Sequence, residues 1–397
     1  MQYRKNLIII LATILGVFAV LGMLIFGVWS NEISTISSIR KLREKDDAHL
    51  DGAVYEMTVK GDFYFDDFLK QGGAKNDKEL ISFITKNITK GLLKMNIKES
   101  NIGCSSFTAK TKDGDVLFAR NYDFGKTNSC LVYTRPKGDR HASISTVDLQ
   151  FVGIKCDEGI ASLKDKMSAL AAPFAPLDGM NDAGVSCGIY MTYQGEKTVA
   201  TNQNTEKPDI TSTTMLRLIL DYAGSVDEAI ALISQYDLHD SANTSYHYMV
   251  ADSTGKSAIL EWVNGTDLQD NDGSKRKLVV TYNTGDAHIG EREDRSEYQV
   301  VTNFIIQPGY YGEGEKRGGY DRYEKLYSEL ERIDGIVEDE AEAMRILSTV
   351  GRRGWNNDDK NVCTVHSVVY NLTKKTALWI PNEHYDDESA LFKRTLK

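Results

Sequence analysis

The chain has 397 residues, 41% of them apolar, and a net charge of −10. That length allows one large packed domain with an appendage. An acidic chain gains nothing from counterion release on nucleic acid, which excludes that class of partner. No C-x-x-C and no His/Cys pair at zinc-ligand spacing occurs, so the sequence offers no metal site and no cofactor. Cys104, Cys130, Cys156, Cys187 and Cys363 fit either one free thiol with two bridges or five free thiols.

Taken in chain order, the first element is apolar. Leu7 to Trp29 carries no charge and follows Arg4 and Lys5. About 20 apolar residues suffice to cross a bilayer, and Gly27–Asn31 lacks a small-x-small cleavage pattern. The run reads as an N-terminal transmembrane helix, with Met1–Asn6 cytoplasmic and the rest extracytoplasmic, a single-pass cell-membrane protein. Lys41, Arg43 and Lys45 beyond the run pull against that orientation, and a long cleaved signal is the competing reading. The expected organisation is a cytoplasmic tip and anchor over 1–29, a polar stalk over 30–50, a pro-segment or small chain over 51–103, and the main domain over 104–397.

Val54–Tyr64 has strand character, and Leu80, Ile81, Ile84, Ile88, Leu92 and Leu93 give Asn76–Met95 the spacing of a helix. Ser105–Thr111 and Asp115–Tyr122 flank Asp113-Gly114, a strong hairpin signal. A turn-rich run, Leu177–Gly184, leads into the strand Val185–Tyr193. Helices follow at Ser212–Tyr222 and, after the cap Ser225, at Ala229–Tyr236. Strands are expected at Tyr246–Ala251, Ser257–Trp262, Lys277–Tyr282 and Tyr298–Phe304. Helices come next at Tyr320–Ile333 and Glu338–Val350, then a hairpin at Thr364–Tyr370 and Thr376–Ile380. Strand pairs separated by helix pairs favour an α+β layered sandwich over a doubly wound sheet. No Gly-rich phosphate loop follows a strand, which leaves no nucleotide site.

The chemistry concentrates at Gly103-Cys104. If that peptide bond is cut, one residue carries both a thiol and a free α-amine. With an ordinary pKa of about 7.7–8.0, the amine can serve as the base that the thiol needs. A two-residue hairpin loop at Asp113-Gly114 pairs Lys112 with Asp115. Counting back then sets Cys104 opposite Asp123, whose carboxylate would orient the amine. The same count puts Arg120 on the other face of the ladder, unless the ladder ends or bulges near Asn121. A buried structural cysteine in an ordinary hairpin is the bland alternative. No histidine lies beside Cys104, the papain-type context is absent, and no G-x-S-x-G elbow occurs.

The run from Gly103-Cys104-Ser105-Ser106 through Arg120-Asn121-Tyr122-Asp123-Phe124 resembles the N-terminal nucleophile hydrolases of the choloylglycine hydrolase type. Bile salt hydrolase, penicillin V acylase and acid ceramidase are relatives within that group. The likeness extends from Cys104 to about Ile380. It takes in Asp178-Gly179-Met180-Asn181 with Gly184, Tyr246–Trp262, Val301-Thr302-Asn303, Asp321-Arg322-Tyr323 and Thr364–Tyr370. It implies a four-layer αββα fold of two antiparallel sheets between helical layers. By the same resemblance, Cys104 is the nucleophile and Arg120 favours its thiolate. Asp123 orients the amine, Asn303 donates to the oxyanion, and Arg322 completes the polar network. A second oxyanion residue is expected on the strand after the Asp178–Asn181 turn. Met191 holds that place by offset from Asn181, with Tyr190 beside it, and Asn181 itself is a further candidate for the oxyanion or the substrate.

The 103 residues ahead of Cys104 are a departure from bile salt hydrolases, which lose little more than an initiator Met. They resemble instead the self-cutting acid ceramidase group, with Gly103 and Cys104 flanking the cut. The expectation is a membrane-anchored, self-processing cysteine amidase acting on a linear carbon–nitrogen amide of a small N-acyl substrate, without cofactor. Two alternatives stand beside it: an acyltransferase using the same thioester, and a non-catalytic membrane-tethered binding domain.

Overall fold

The strand Gly103–Thr111, its partner Val116–Gly125 and the strand Ser143–Asp148 are buried almost throughout, with none of the in–out alternation of a half-solvated sheet. Such strands need cover on both faces. The computed structural model supplies it with two stacked sheets between helices. It describes residues 29–91, 103–192, 199–264, 272–284, 288–289, 292–293, 297–352 and 362–396, with scattered positions inside 1–28.

Sheet I has nine strands, in the order Arg40–Arg43, Val54–Val59, Ser129–Thr134, Ser143–Asp148, Asp178–Asn181, Ser186–Met191, Tyr246–Ala251, Ser257–Val263, Lys277–Tyr282. Sheet II has seven, in the order Val300–Val301, Gly103–Thr111, Val116–Gly125, Val362–Asn371, Thr376–Pro381, Phe392–Thr395, with Ile336–Val337 also paired to Gly103–Thr111. The helix Ser212–Tyr222 packs on sheet I, and Tyr320–Glu331 and Glu340–Ser348 pack on sheet II. The layered α+β expectation matches this arrangement. The sheets are not wholly antiparallel: Val54–Val59 runs parallel to Ser129–Thr134, and Ile336–Val337 runs parallel to Gly103–Thr111. The first of these pairings builds the segment upstream of Cys104 into sheet I.

The expected transmembrane helix is corrected. Among the described residues no helix is long and apolar enough to cross a membrane. Most of Leu7–Val28 lies outside the described residues, and the helix over 29–38 that follows is polar. Its Glu32 accepts a hydrogen bond from the Tyr64 hydroxyl (3.0 Å), and Thr35 Oγ1 accepts one from the Lys60 amide (2.9 Å). The stretch read as a stalk is therefore docked on the body through its polar side chains. The extracytoplasmic, membrane-anchored localisation rested on that span and is withdrawn with it.

The hairpin register is the second correction. The observed pairs are Lys110–Val116, Ser106–Arg120, Cys104–Tyr122 and Gly103–Asp123. The loop holds three residues, Lys112, Asp113 and Gly114, closed by the Thr111 amide donating to Asp115 O (2.8 Å), with Gly114 at φ +86°. This is the three-residue hairpin that ends on a left-handed residue. A slip of one residue moves side chains to the opposite face. Arg120 therefore shares a face with Cys104, while Asp123 faces Gly103.

A Cβ on Gly114 would meet nothing within 4 Å, so only its backbone conformation resists substitution. Gly114→Ala should cost about 1–2 kcal/mol in urea unfolding, and Gly114→Asn, which tolerates that region, should cost clearly less.

Candidate active site

Cys104 and Arg120 are fully buried between the sheets. Arg120 stands on sheet II and reaches toward sheet I. Its Nη2 lies 3.3 Å from Cys104 Sγ and donates to Ile189 O at 2.6 Å, its Nη1 donates to Leu177 O, and its Nε lies 3.4 Å from Asp178 Oδ2. The guanidinium stacks over the Tyr190 ring, 4.8 Å from its centroid. Asp178 is itself held by His366 Nε2 (3.0 Å) and the Tyr370 hydroxyl (2.7 Å). Burial works against ionisation of Asp178, but His366 and Arg120 outweigh it and hold its carboxyl below the usual range.

Burial pushes the Cys104 thiol up to about 11, although Arg120 pulls it down. In the uncut chain the sulfur is therefore a neutral thiol near pH 7. Arg120 favours the thiolate, but desolvation outweighs that one cation.

A second network holds the main-chain nitrogen. Cys104 N donates to Asn303 Oδ1 (2.9 Å), which also accepts from Arg322 Nη2 (2.7 Å), while Asn303 Nδ2 donates to Met191 O (2.7 Å). Two donors on one side and a carbonyl on the other fix which way the amide points. The carbonyl of Asn303 thus faces Cys104, and its N–H group faces Met191 O. In this arrangement Asn303 holds the Cys104 nitrogen through its carbonyl, while its N–H group is directed to Met191 O instead of toward the Cys104 sulfur. Arg322, in the first turn of Tyr320–Glu331, also donates to Cys104 O and lies 3.4 Å from Asp123 Oδ2.

Asp123 is fully buried, and its Oδ1 accepts from Thr364 Oγ1 (2.7 Å). Among the described residues, none donates a hydrogen bond to its Oδ2. Burial raises the Asp123 carboxyl, with Arg322 and Thr364 opposing. A Cβ on Gly103 would lie 2.9 Å from Asp123 Cβ and 3.0 Å from Oδ2, so a side chain there has no room.

The remaining sequence candidates fall in other places. Asn181 is corrected: its Nδ2 donates to Leu220 O and Ala223 O, and its Oδ1 accepts from Val185 N, which ties a turn to a helix end and leaves nothing for the thiol. The Tyr190 hydroxyl donates to Ser106 Oγ (2.7 Å), so the residue supports Arg120 with its ring. Met191 contributes its carbonyl to Asn303. Sequence reasoning missed Asp178, His366, Thr364 and the Leu177 and Ile189 carbonyls as partners. Asp178 was visible as the head of its motif, but backbone carbonyls leave no sequence signal. None of the five cysteines is in a disulfide.

Arg120, which contacts the sulfur, also lines an apolar cavity of about 50 Å³, together with Tyr122, Leu177, Ile189, Met191 and Phe174, and with Leu80 and Ile84. Those two come from the helix Asp77–Asn87, upstream of Cys104. Three residues, His49, Asp51 and His384, form a separate cluster of metal-ligand type.

Removing the Arg120 charge takes from buried Asp178 its arginine partner. Arg120→Met should lower unfolding stability by about 3–5 kcal/mol in urea titrations. The double variant with Asp178→Asn should lose less than the two single losses added together.

Comparison with known proteins gives a family for part of the chain. Residues 104–273 match the linear amide C-N hydrolases, choloylglycine hydrolase family. The bile salt hydrolase/transferase of Clostridium perfringens (strain 13 / Type A) is 25% identical over 169 residues, 40% of this chain and 47% of that protein. The chain thus matches about half the length of that relative. Among solved structures, a mutant of the conjugated bile acid hydrolase from Clostridium perfringens aligns at 16% identity and TM-score 0.49, covering 74% of this chain and 92% of that one. Penicillin V acylase from Agrobacterium tumefaciens aligns at 17% identity and TM-score 0.45, covering 70% and 83%. The Caenorhabditis elegans ortholog of N-acylethanolamine-hydrolyzing acid amidase aligns at 14% and 0.41, covering 68% and 93%. Over residues 104–273, the chain is thus similar to the choloylglycine hydrolase family of linear amide C-N hydrolases.

Proposed function

We propose that this chain is a self-processing cysteine amidase that hydrolyses the linear amide bond of a small N-acyl substrate with an apolar acyl group. The observation that carries the reading is the pair of networks on one residue: Arg120 against the Cys104 sulfur, and Asn303 with Arg322 against its nitrogen. A merely structural buried cysteine needs neither. The match of residues 104–273 to a hydrolase family supports the reaction class.

Processing begins when Cys104 Sγ attacks the Gly103 carbonyl carbon. The C–S bond forms, the C–N bond breaks, and the thiol proton passes to the departing nitrogen. Water then cleaves the thioester, leaving a Gly103 carboxylate, a free thiol and an α-amine. The new ammonium arises beside Asp123 Oδ2, the buried oxygen to which none of the described residues donates a hydrogen bond while Gly103 is in place. In turnover the thiol attacks the substrate carbonyl, and the α-amine takes its proton and hands it to the leaving amine. Water resolves the acyl-enzyme. The apolar cavity next to Ile189 and Met191 is the place for the acyl group. At about 50 Å³ it holds only a few waters, so the Leu80 and Ile84 wall has to yield before an acyl chain enters. The Clostridium relative is named a hydrolase/transferase, which favours a second outcome in which an amine resolves the same thioester.

Two measurements test the reading. N-terminal sequencing of wild-type protein should return a new terminus at Cys104, and Cys104→Ala should remain a single uncut chain without amidase activity. An uncut, folded wild type, or a cut Cys104→Ala chain, overturns self-processing. The second test uses pH. Because the thiol sits at about 11 in the uncut chain, its thiolate fraction rises about tenfold per pH unit below that value. The first-order cutting rate of refolded uncut protein should climb accordingly between about pH 7 and 9, and a flat profile rules out attack by the thiolate.

A further inference from the structure

Far along the chain from the thiol, three donors of metal-ligand type converge. His49 Nδ1 lies 2.6 Å from Asp51 Oδ1, and His384 Nε2 contacts Asp51 Oδ2. The two imidazole rings stack with centroids 4.5 Å apart. One ligand atom from each residue lies within 4.8 Å of the others. The Asp51 carboxylate is buried, with 1% exposure, whereas His49 keeps 40% and His384 17% of their side chains exposed. An ion can therefore enter from solvent, over a carboxylate already taken out of water.

The backbone is built to aim these groups. Asp46 Oδ1 accepts from the Ala48 and His49 amides, and the Asp51 amide donates to Asp46 O at 2.8 Å. Asn382 Nδ2 donates to Gly52 O (3.1 Å), which fastens the His384 loop to the Asp51 loop. Leu50, Asn382 and Glu383, the residues just before Asp51 and His384, all have positive φ. L-residues enter that region at a cost of about 1–2 kcal/mol each, and such strain persists only where the surroundings impose it.

We propose that His49, Asp51 and His384 bind a zinc-class divalent cation, with solvent in the fourth position. Two imidazoles and one carboxylate are a ligand set that suits zinc, with N and O donors about 2.0–2.2 Å from the ion. The ring nitrogens that face Asp51 donate N–H to its oxygens. On ion binding, each proton moves to the other ring nitrogen or to solvent, and small rotations of the stacked rings aim the freed lone pairs at a shared point beside Asp51. Asp51 and His384 are 333 residues apart in sequence, which is why no spacing motif announces the site. The site also has an anatomical meaning. His49 and Asp51 lie upstream of Gly103-Cys104 and His384 downstream, so the ion clamps together the two pieces that the proposed cut would create. That clamping role rests on the self-processing reading; binding of the ion does not.

The test uses the full chain carrying Cys104→Ala, so that it stays in one piece whatever the fate of the self-processing reading. After removal of metal with a chelator, calorimetric titration with Zn²⁺ should show one equivalent bound and a raised melting temperature. His49→Gln and His384→Gln should each weaken binding by at least roughly tenfold, the lower end of what loss of even an outlying partner costs. Glutamine retains a donor for Asp51, and melting curves without zinc verify that the variants fold. No stoichiometric uptake, or uptake that neither variant weakens, overturns the site.

Discussion

One buried cation joins the two sheets. Arg120 rises from sheet II and is met on sheet I by the Leu177 and Ile189 carbonyls, the Tyr190 ring and Asp178. Withdrawing a guanidinium from water costs several kcal/mol unless partners surround it. Here the partners include the backbone carbonyls of Leu177 and Ile189, which present lone pairs to the guanidinium. The same side chain contacts the sulfur of Cys104 and lines the apolar cavity. Packing of the sandwich and placement of the thiol are therefore one arrangement, and a change that separates the sheets disturbs both.

Around the other end of Cys104 the polar groups answer to its nitrogen. Asn303 turns its carbonyl inward because Arg322 and the Cys104 amide both donate to it. Asp123 lies across the ladder from Gly103, close enough to exclude any side chain there. The sulfur meanwhile remains a weak acid under the weight of burial. In the proposed processing, the uncut protein would hold the geometry of an amine site before it has the amine, and an electrostatic setting that restrains the thiol until then.

Much of the architecture was legible from periodicity. Ser212–Tyr222 has the bounds its apolar spacing suggested, and Asn76 caps a helix that ends at Asn87, earlier than expected. The hairpin was legible in kind but not in register. Asp113-Gly114 serves a two-residue or a three-residue loop equally well in sequence, and the difference decides which face Arg120 occupies. Cys104, Arg120, Asn303 and Arg322 were all named from the chain, yet the orientation of Asn303 depends on donors that come together only in the fold. Asn181 was misread because an Asn in a turn motif looks alike whether it serves a ligand or a helix end. The apolar N-terminal run was a matter of composition, and the described helix beyond it is polar and docked. The His49, Asp51 and His384 cluster had no local pattern, since topology alone unites it.

The strand Val54–Val59 is hydrogen-bonded along its length to Ser129–Thr134. A break between Gly103 and Cys104, in sheet II, would therefore leave the two fragments joined through sheet I, and neither fragment would be shed. Folding before the nick is a one-body process; after it, a denatured molecule must find its missing strand by diffusion. Renaturation of mature protein would then slow as it is diluted, whereas the uncut precursor would refold at a rate indifferent to dilution. The molecule would gain its working form by giving up an easy way back.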